Sequence, residues 1–182
     1  LAKKHNLKLI VDNTFTPLIF SPKELGADVV IHSLTKFING ASDTVGGIIC
    51  STKEFVSELI DVNHGASMLL GPTMDALRAN SILKNLRTLH VRMKQHSHNA
   101  MYLAEKVQEL GIPVFYPGLP NHPQHQLMTE LMNEEFGYGG MVMIDVGTMK
   151  NAYQLMEGMQ NDNVGYLAVS LGFYKTLFSA PG

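Results

Sequence analysis

The sequence has 182 residues, of which 45% are hydrophobic and 16% charged, and its formal net charge at neutral pH is −2. This composition is typical of a globular protein and argues against a disordered chain. The small net charge gives no electrostatic reason to bind nucleic acid or an anionic membrane, and no apolar stretch approaches the roughly 20 residues that span a bilayer. The single cysteine, Cys50, is expected in the core, and its lack of a disulfide partner indicates a reducing, cytoplasmic compartment.

The first half of the chain has the pattern of an α/β sheet. Short apolar runs with β-branched residues indicate buried strands, the first two of them parallel. Pro22 and Glu24 follow Ser21 as a capping box with proline at the first helical position, so a short helix is expected there. Alternation of strands and helices predicts right-handed crossovers. The predicted strands lie at residues 9–12, 28–32 and 46–50, and the predicted helices at 21–26 and 53–60.

The second half is predicted to be mainly helical, with a smaller α+β unit at its end. A helix is expected from Thr73 to Gly111, where Gly111 and Pro113 stop it. Its buried stripe is predicted from helical spacing at Leu83, Leu86, Met93, Ala100, Ala104 and Val107. After it we expect a helix ending near residue 133, a strand at 141–146 and a helix at 148–159. These patterns predict two domains, at residues 1–88 and 89–182.

The two ends of the chain resemble interior positions of a longer protein. Residues 1–5 have the composition of the last turn of a helix, and the chain stops at Gly182 directly after an apolar segment. We therefore expect this sequence to be an internal portion of a longer protein, and the portion by itself to be inactive.

Reactive side chains follow the first two predicted strands. Asp12 ends the first, and Ser33, Thr35 and Lys36 stand at the end of the second. In open α/β sheets, ligands bind beyond the carboxyl ends of the strands. An amine for a Schiff base, an acid for the pyridinium nitrogen and hydroxyl donors for a phosphate are the groups that pyridoxal phosphate (PLP) requires. The sequence therefore predicts a PLP site here.

Two other interpretations fit the residues less well. Ser33 and Lys36 also match the S-x-x-K motif of acyl-serine hydrolases, but the serine of that motif opens a helix, whereas Ser33 ends a strand. The histidines could suggest a metal site. However, His96 and His98 are two residues apart and face different sides of a helix, so no metal is expected.

The order of several motifs resembles the Cys/Met-metabolism PLP enzymes, the trans-sulfuration family of fold type I. The resemblance extends over essentially the whole chain. Its motifs are VDNTF (11–15), ELGAD (24–28), HSLTKFING (32–40), RTLHVRM (87–93), YPGLP (116–120) and VSLG (169–172). The resemblance implies the second half of the PLP-binding large domain, followed by the start of a smaller α+β domain.

The resemblance also implies roles for individual residues. Lys36 would form the Schiff base with PLP and act as the general base, and Asp12 would bind the pyridinium nitrogen. Ser33 and Thr35 would bind the phosphate. Thr14 would neighbour the cofactor ring, and Ser170 would lie near the substrate carboxylate.

Among the family's activities, α,γ-elimination of L-methionine or a related thioether or thiol amino acid is favoured. Val169 directly precedes Ser170 and cannot pair with the distal ammonium of cystathionine, whose unpaired burial would cost roughly 1–3 kcal/mol. The alternatives within the family are cystathionine γ-lyase, γ-synthase or β-lyase and O-acylhomoserine sulfhydrylase. The resemblance also implies a homo-oligomer, a tetramer built as a dimer of dimers.

Overall fold

Three strands from the first 50 residues form the main sheet. In the computed structural model, which describes residues 1–180, their order is β1–β2–β3, at Ile10–Asp12, Val29–Ser33 and Gly47–Cys50. β1 and β2 are parallel, as predicted, and their register pairs Asp12 with Ile31. β3 is antiparallel to β2 and pairs Gly47 with Ser33. It reverses direction because residues 34–46 return to the same end of the sheet instead of crossing over its face.

The burial of the strands differs from the prediction. Val29 and Val30 of β2 are buried, whereas Ile10 of β1 is 57% exposed. β3 is exposed along its length, so the prediction that Cys50 is a core residue is wrong. The physical reason is the layering: among residues 1–180, β1 packs mainly against β2, β3 packs mainly against β2 and the segment that follows β2, and no α-helix lies closely over β1 or β3.

Within residues 1–180, six α-helices follow or flank the sheet. Thr52 accepts a hydrogen bond from the amide of Phe55 and thereby caps the helix Lys53–Leu59, and Thr148 caps the helix Met149–Asn161 through the amide of Asn151. No helix among residues 1–180 is long and apolar enough to cross a membrane. The helices α1 to α6 comprise Lys53–Leu59, Ala66–Leu70, Ala76–Leu86, Leu89–Glu109, His125–Leu131 and Met149–Asn161.

The predicted long helix is two helices, α3 and α4, separated at residues 87–88. The amide of Thr88 donates to the carbonyl of Asn85, and the helix restarts at Leu89. Leu83 and Leu86 are exposed, against the prediction, because the inward side of α3 carries Ile82 instead. On α4 the predicted stripe is confirmed at Met93, Ala100 and Ala104, whereas Val107 is only partly buried. Leu89 and Ser97 are also buried on this side of α4.

The helix predicted at 148–159 is confirmed as α6, whereas two other predicted elements are absent or shorter than expected. Residues 21–26 form hydrogen-bonded turns that end at Gly26, whose φ is +98°, so the predicted helix there is wrong. Of the strand predicted at 141–146, only Met143–Ile144 is a strand, here called β5. Two small sheets complete the fold: β4 (Val114–Phe115) with β5 (Met143–Ile144), and β6 (Tyr166–Leu167) with β7 (Leu177–Phe178).

Two apolar clusters hold these elements together. The first joins the segment after β2 to α3 and α4 and contains Ile19, Leu34, Phe37, Ile38, Ile82, Leu89, Met93 and Phe136. The second contains Ala100, Ala104, Tyr116 and Leu119. The first cluster has members on both sides of the predicted boundary between residues 88 and 89, which itself stays a prediction.

Tyr116 gives a test of the second cluster. Its side chain is fully buried, and its hydroxyl donates to the carbonyl of Gly139 at 2.9 Å. Tyr116→Phe should lower the free energy of unfolding by about 1–2 kcal/mol, because a buried carbonyl loses its partner. Urea denaturation measures the difference. Tyr102→Phe, at a 61% exposed position, is the control, and equal stabilities of the two variants would contradict the role of this hydrogen bond.

Candidate active site

Asp12 ends β1 with its carboxylate exposed beyond the sheet. The amide of Thr14 donates to Oδ1 of Asp12 at 2.9 Å. Hydrogen bonding from the Thr14 hydroxyl to the Asp12 carboxylate, and then from the Thr14 amide, keeps the pKa of Asp12 below its usual value. The nearby imidazole of His32 lowers this pKa further. Hydrogen bonds to a carboxylate favour its ionised form. Asp12 is therefore an anion at neutral pH, which is the state that binds a protonated ring nitrogen.

Thr14 connects the ends of the two parallel strands. Its side chain is buried, and its Oγ1 accepts a hydrogen bond from the amide of Ser33 at 2.8 Å. The amide of Asn13 donates to the carbonyl of Ile31, which extends the β1–β2 pairing by one bond. Asp12 and Ser33 are thus fixed at the same end of the sheet, as the sequence predicts.

The segment after β2 makes a tight turn that presents Lys36. Leu34 points into the core, as expected, while Ser33, Thr35 and Lys36 are partly exposed. The Thr35 hydroxyl accepts from the amide of Gly46 at 3.0 Å, and it donates over only a long 3.4 Å to the carbonyl of the same residue. A hydrogen bond of that length is weak, so the Thr35 proton is available to an anion.

Ser170 reaches Lys36 from a distant part of the chain. Nζ of Lys36 donates to Oγ of Ser170 at 3.1 Å, across 134 positions of sequence. Gly172 makes this approach possible, because its φ is +74° and a Cβ there would overlap the backbone of Phe37. The amide of Tyr174 also donates to the carbonyl of Gly40. The C-terminal segment is therefore docked along the turn that carries Lys36.

Val169 does not contact this site in the described residues. Its side chain is 95% exposed, although it adjoins Ser170. Its predicted contact with a substrate side chain stays a prediction.

Sequence reasoning missed two residues at this site. His32 precedes Ser33 and lies near Asp12. Burial lowers the pKa of His32, and this effect outweighs the opposing effect of the Asp12 charge. The Nδ1 atom of His32 is buried without a hydrogen-bond partner among residues 1–180. Arg92 on α4 donates to the carbonyls that directly follow Lys36. The position of His32 beside Ser33 was a usable signal, whereas no local pattern reveals the contacts of Arg92.

The chemistry of these donors fits PLP. An amine, an ionised carboxylate and two hydroxyls with protons free to donate lie at adjoining ends of two parallel strands, and they match the aldehyde, ring nitrogen and phosphate of that cofactor. The acyl-serine alternative fits less well, since the amine of Lys36 donates to Ser170 and not to Ser33. Among residues 1–180, no group of three or more His, Cys, Asp or Glu side chains is placed to hold a metal ion.

Comparison with known proteins shows the family. Residues 1–182 match the family described as Cys/Met metabolism PLP-dependent enzyme. The chain belongs to this family of PLP-dependent enzymes, and the resemblance seen in its motifs is confirmed.

Individual relatives differ in the reactions that their names describe. The chain is 45% identical over 183 residues to methionine gamma-lyase of Arabidopsis thaliana, covering all of this chain and 42% of the relative. It is 36% identical over 185 residues to a cystathionine beta-lyase of Lactococcus lactis, covering all of this chain and 46% of that protein. The chain thus spans less than half the length of these relatives.

A solved structure confirms the fold. The crystal structure of cystathionine gamma synthase from Xanthomonas oryzae pv. oryzae, in complex with aminoacrylate and cysteine, superposes with a TM-score of 0.86 at 34% identity. The match covers 97% of this chain and 44% of that one. The predicted fold class, a part of the fold type I architecture, is therefore correct.

The link between Thr14 and Asp12 predicts a pH effect that needs no cofactor. Because the pKa of folded Asp12 is depressed, its ionised form stabilises the fold above the unfolded-state pKa, and this contribution disappears as the pH falls through the folded-state pKa. Thr14→Val should raise the pKa of Asp12 towards its usual value, while Thr14→Ser should retain the depression. Carboxyl-carbon NMR titration measures both. A Thr14→Val protein with an unchanged Asp12 pKa would refute the hydroxyl's role.

Proposed function

We propose that the protein containing this chain is a PLP-dependent carbon–sulfur lyase acting on a sulfur amino acid. The observation that carries the proposal is the contact of the Lys36 amine with Ser170, close to strand ends where the Thr14 hydroxyl ties β1 to the amide of Ser33. Membership of the Cys/Met family supports the cofactor and the substrate class.

Four residues would hold the cofactor. Lys36 would bind it covalently through Nζ, and Asp12, ionised by its bonds to Thr14, would keep a proton on the ring nitrogen. Ser33 and Thr35 would donate to the phosphate, because the Ser33 hydroxyl has no hydrogen-bond partner among residues 1–180 and the Thr35 proton is only weakly engaged. When bound, PLP supplies an electron sink for the carbanion formed at the substrate α-carbon.

Lys36 and Ser170 would then handle the substrate. With its amine free, Lys36 would act through Nζ as the base that moves the α-proton of the substrate. Ser170 would hold the substrate carboxylate, and its hydrogen bond with Lys36 keeps that carboxylate near the base. Elimination at Cγ then expels a thiol.

Methionine or a related thioether or thiol amino acid is the proposed substrate. Val169 adjoins Ser170, so its side chain would lie near the distal part of a substrate whose carboxylate Ser170 holds. An apolar side chain packs against a thioether methyl but leaves an ammonium unpaired, at a cost of roughly 1–3 kcal/mol. Cleavage or synthesis of cystathionine, or the sulfhydrylation of O-acylhomoserine, would be the activity if Val169 does not face the substrate.

The assembly and location belong to the same proposal. We propose a cytoplasmic homotetramer, a dimer of dimers, in which residues 1–88 belong to the PLP-binding large domain and residues 89–182 begin the smaller domain. Light scattering of the intact protein tests the assembly.

Lys36 gives the direct test of cofactor attachment. Borohydride reduction of the intact protein with PLP, followed by peptide mapping, should place the pyridoxyl group on Lys36. Lys36→Ala should abolish both the absorbance of the lysine-bound cofactor and nearly all turnover, because among residues 1–180 no other lysine directly follows β1 or β2 in the sequence. Lys23→Ala, at an exposed position, is the matched control. Retention of absorbance and turnover in Lys36→Ala would refute the assignment.

Val169 gives a separate test of substrate choice. The ratio of kcat/KM for methionine to that for cystathionine should favour methionine in the intact protein. Val169→Glu should shift the ratio towards cystathionine, because the new carboxylate can pair with the distal ammonium. Val164→Glu, at another exposed valine of the same segment, is the control. A parent protein that prefers cystathionine, or a Val169→Glu variant without a shift, would contradict this assignment.

A further inference from the structure

Arg92 binds the backbone immediately after Lys36. From the first turn of α4 its guanidinium donates through Nη1 to the carbonyl of Phe37, and through Nη2 to the carbonyl of Ile38 at 2.8 Å. The same Nη2 lies 3.2 Å from the carbonyl of Asn85, and Nε donates to the hydroxyl of Thr88 at 3.1 Å. All of these acceptors belong to neutral groups.

The charge of Arg92 is therefore committed to backbone carbonyls. Arg92 has no carboxylate partner among residues 1–180, and burial lowers its pKa, although an arginine side chain keeps its proton at any physiological pH. Removing a charged group from water is costly unless its donors are satisfied. The planar fork of arginine satisfies them by holding two successive carbonyls at once, which a flexible side chain would not do with the same geometry.

The turn with Lys36 is held from its other side as well. The backbone of Gly172 packs directly on Phe37, and the amide of Tyr174 donates to the carbonyl of Gly40. The side chain of Asn85, on α3, donates to the buried side chain of Asn39 at 2.8 Å, which adds a further link to the same turn. With its backbone fixed between these contacts, the turn sets where the Lys36 amine lies.

We propose that Arg92 is a positioning residue for Lys36: by fixing the carbonyls of Phe37 and Ile38, it places the Lys36 amine at Ser170 and towards the aldehyde of the cofactor. This inference rests on the proposed attachment of PLP to Lys36. Arg92 itself would not touch the cofactor, because four of its five N–H donors are engaged by backbone carbonyls and by Thr88.

The test separates the placement of Lys36 from binding of the cofactor as a whole. The intact protein, freed of cofactor, is mixed with PLP, which bonds to Lys36, and separately with pyridoxine 5′-phosphate, which lacks the aldehyde and cannot. Arg92→Gln should slow the capture of PLP, followed by absorbance, about tenfold or more, because small misplacements of reacting groups are costly. Its affinity for pyridoxine 5′-phosphate should be unchanged. Arg92→Lys should be intermediate.

Arg78→Gln is the matched control, since Arg78 is exposed and forms its ion pair with Asp75, at 3.2 Å. It should capture PLP at the parental rate. Capture at the parental rate by Arg92→Gln, or an equal loss of affinity for both compounds, would overturn the inference. If Arg92→Gln does not fold, as judged by circular dichroism, Arg92→Lys decides the question by the same criteria. Failure of the parent to incorporate a pyridoxyl group at Lys36 would instead refute the proposed function.

Discussion

The hydroxyl of Thr14 joins the ends of β1 and β2, and the geometry of the site depends on this connection. It accepts a hydrogen bond from the amide of Ser33 and, with the amide of its own residue, holds the carboxylate of Asp12 in its ionised form. Because β1 and β2 are parallel, their carboxyl ends lie side by side. One buried hydroxyl thus fixes both the acid at one strand end and the start of the turn that bears Lys36.

Beyond Ser33, the position of Lys36 depends on contacts from outside the sheet. Arg92 holds the carbonyls after the lysine, and the segment around Gly172 covers the same turn and brings Ser170 to the amine. The buried side chain of Asn39 bonds to both Asp43 and Asn85. A buried polar network whose members are paired specifies one arrangement. The site is therefore ordered by polar contacts placed on the apolar cluster of Leu34 and its neighbours.

Local sequence patterns predicted the parts of the site that depend on local structure. The strands ending at Asp12 and Ser33, and the burial of Leu34 between two partly exposed hydroxyl residues, follow from apolar runs and from the alternation along the chain. The reversal of β3 and the break at Thr88 were missed, because short turns decide them. The contact between Lys36 and Ser170 spans 134 positions, so no periodicity could predict it, and only the family resemblance placed Ser170 near the site.

The residues at the strand ends fit PLP chemistry in general. Substrate choice must therefore depend on other residues. Relatives named as a methionine gamma-lyase and a cystathionine beta-lyase both align with the whole of this chain. The amine, acid and hydroxyl donors of this chain suit PLP chemistry in general and do not by themselves select a substrate. Val169 is 95% exposed and makes none of the hydrogen bonds that hold Lys36. The role in substrate choice that we propose for Val169 is therefore separable from the placement of the lysine.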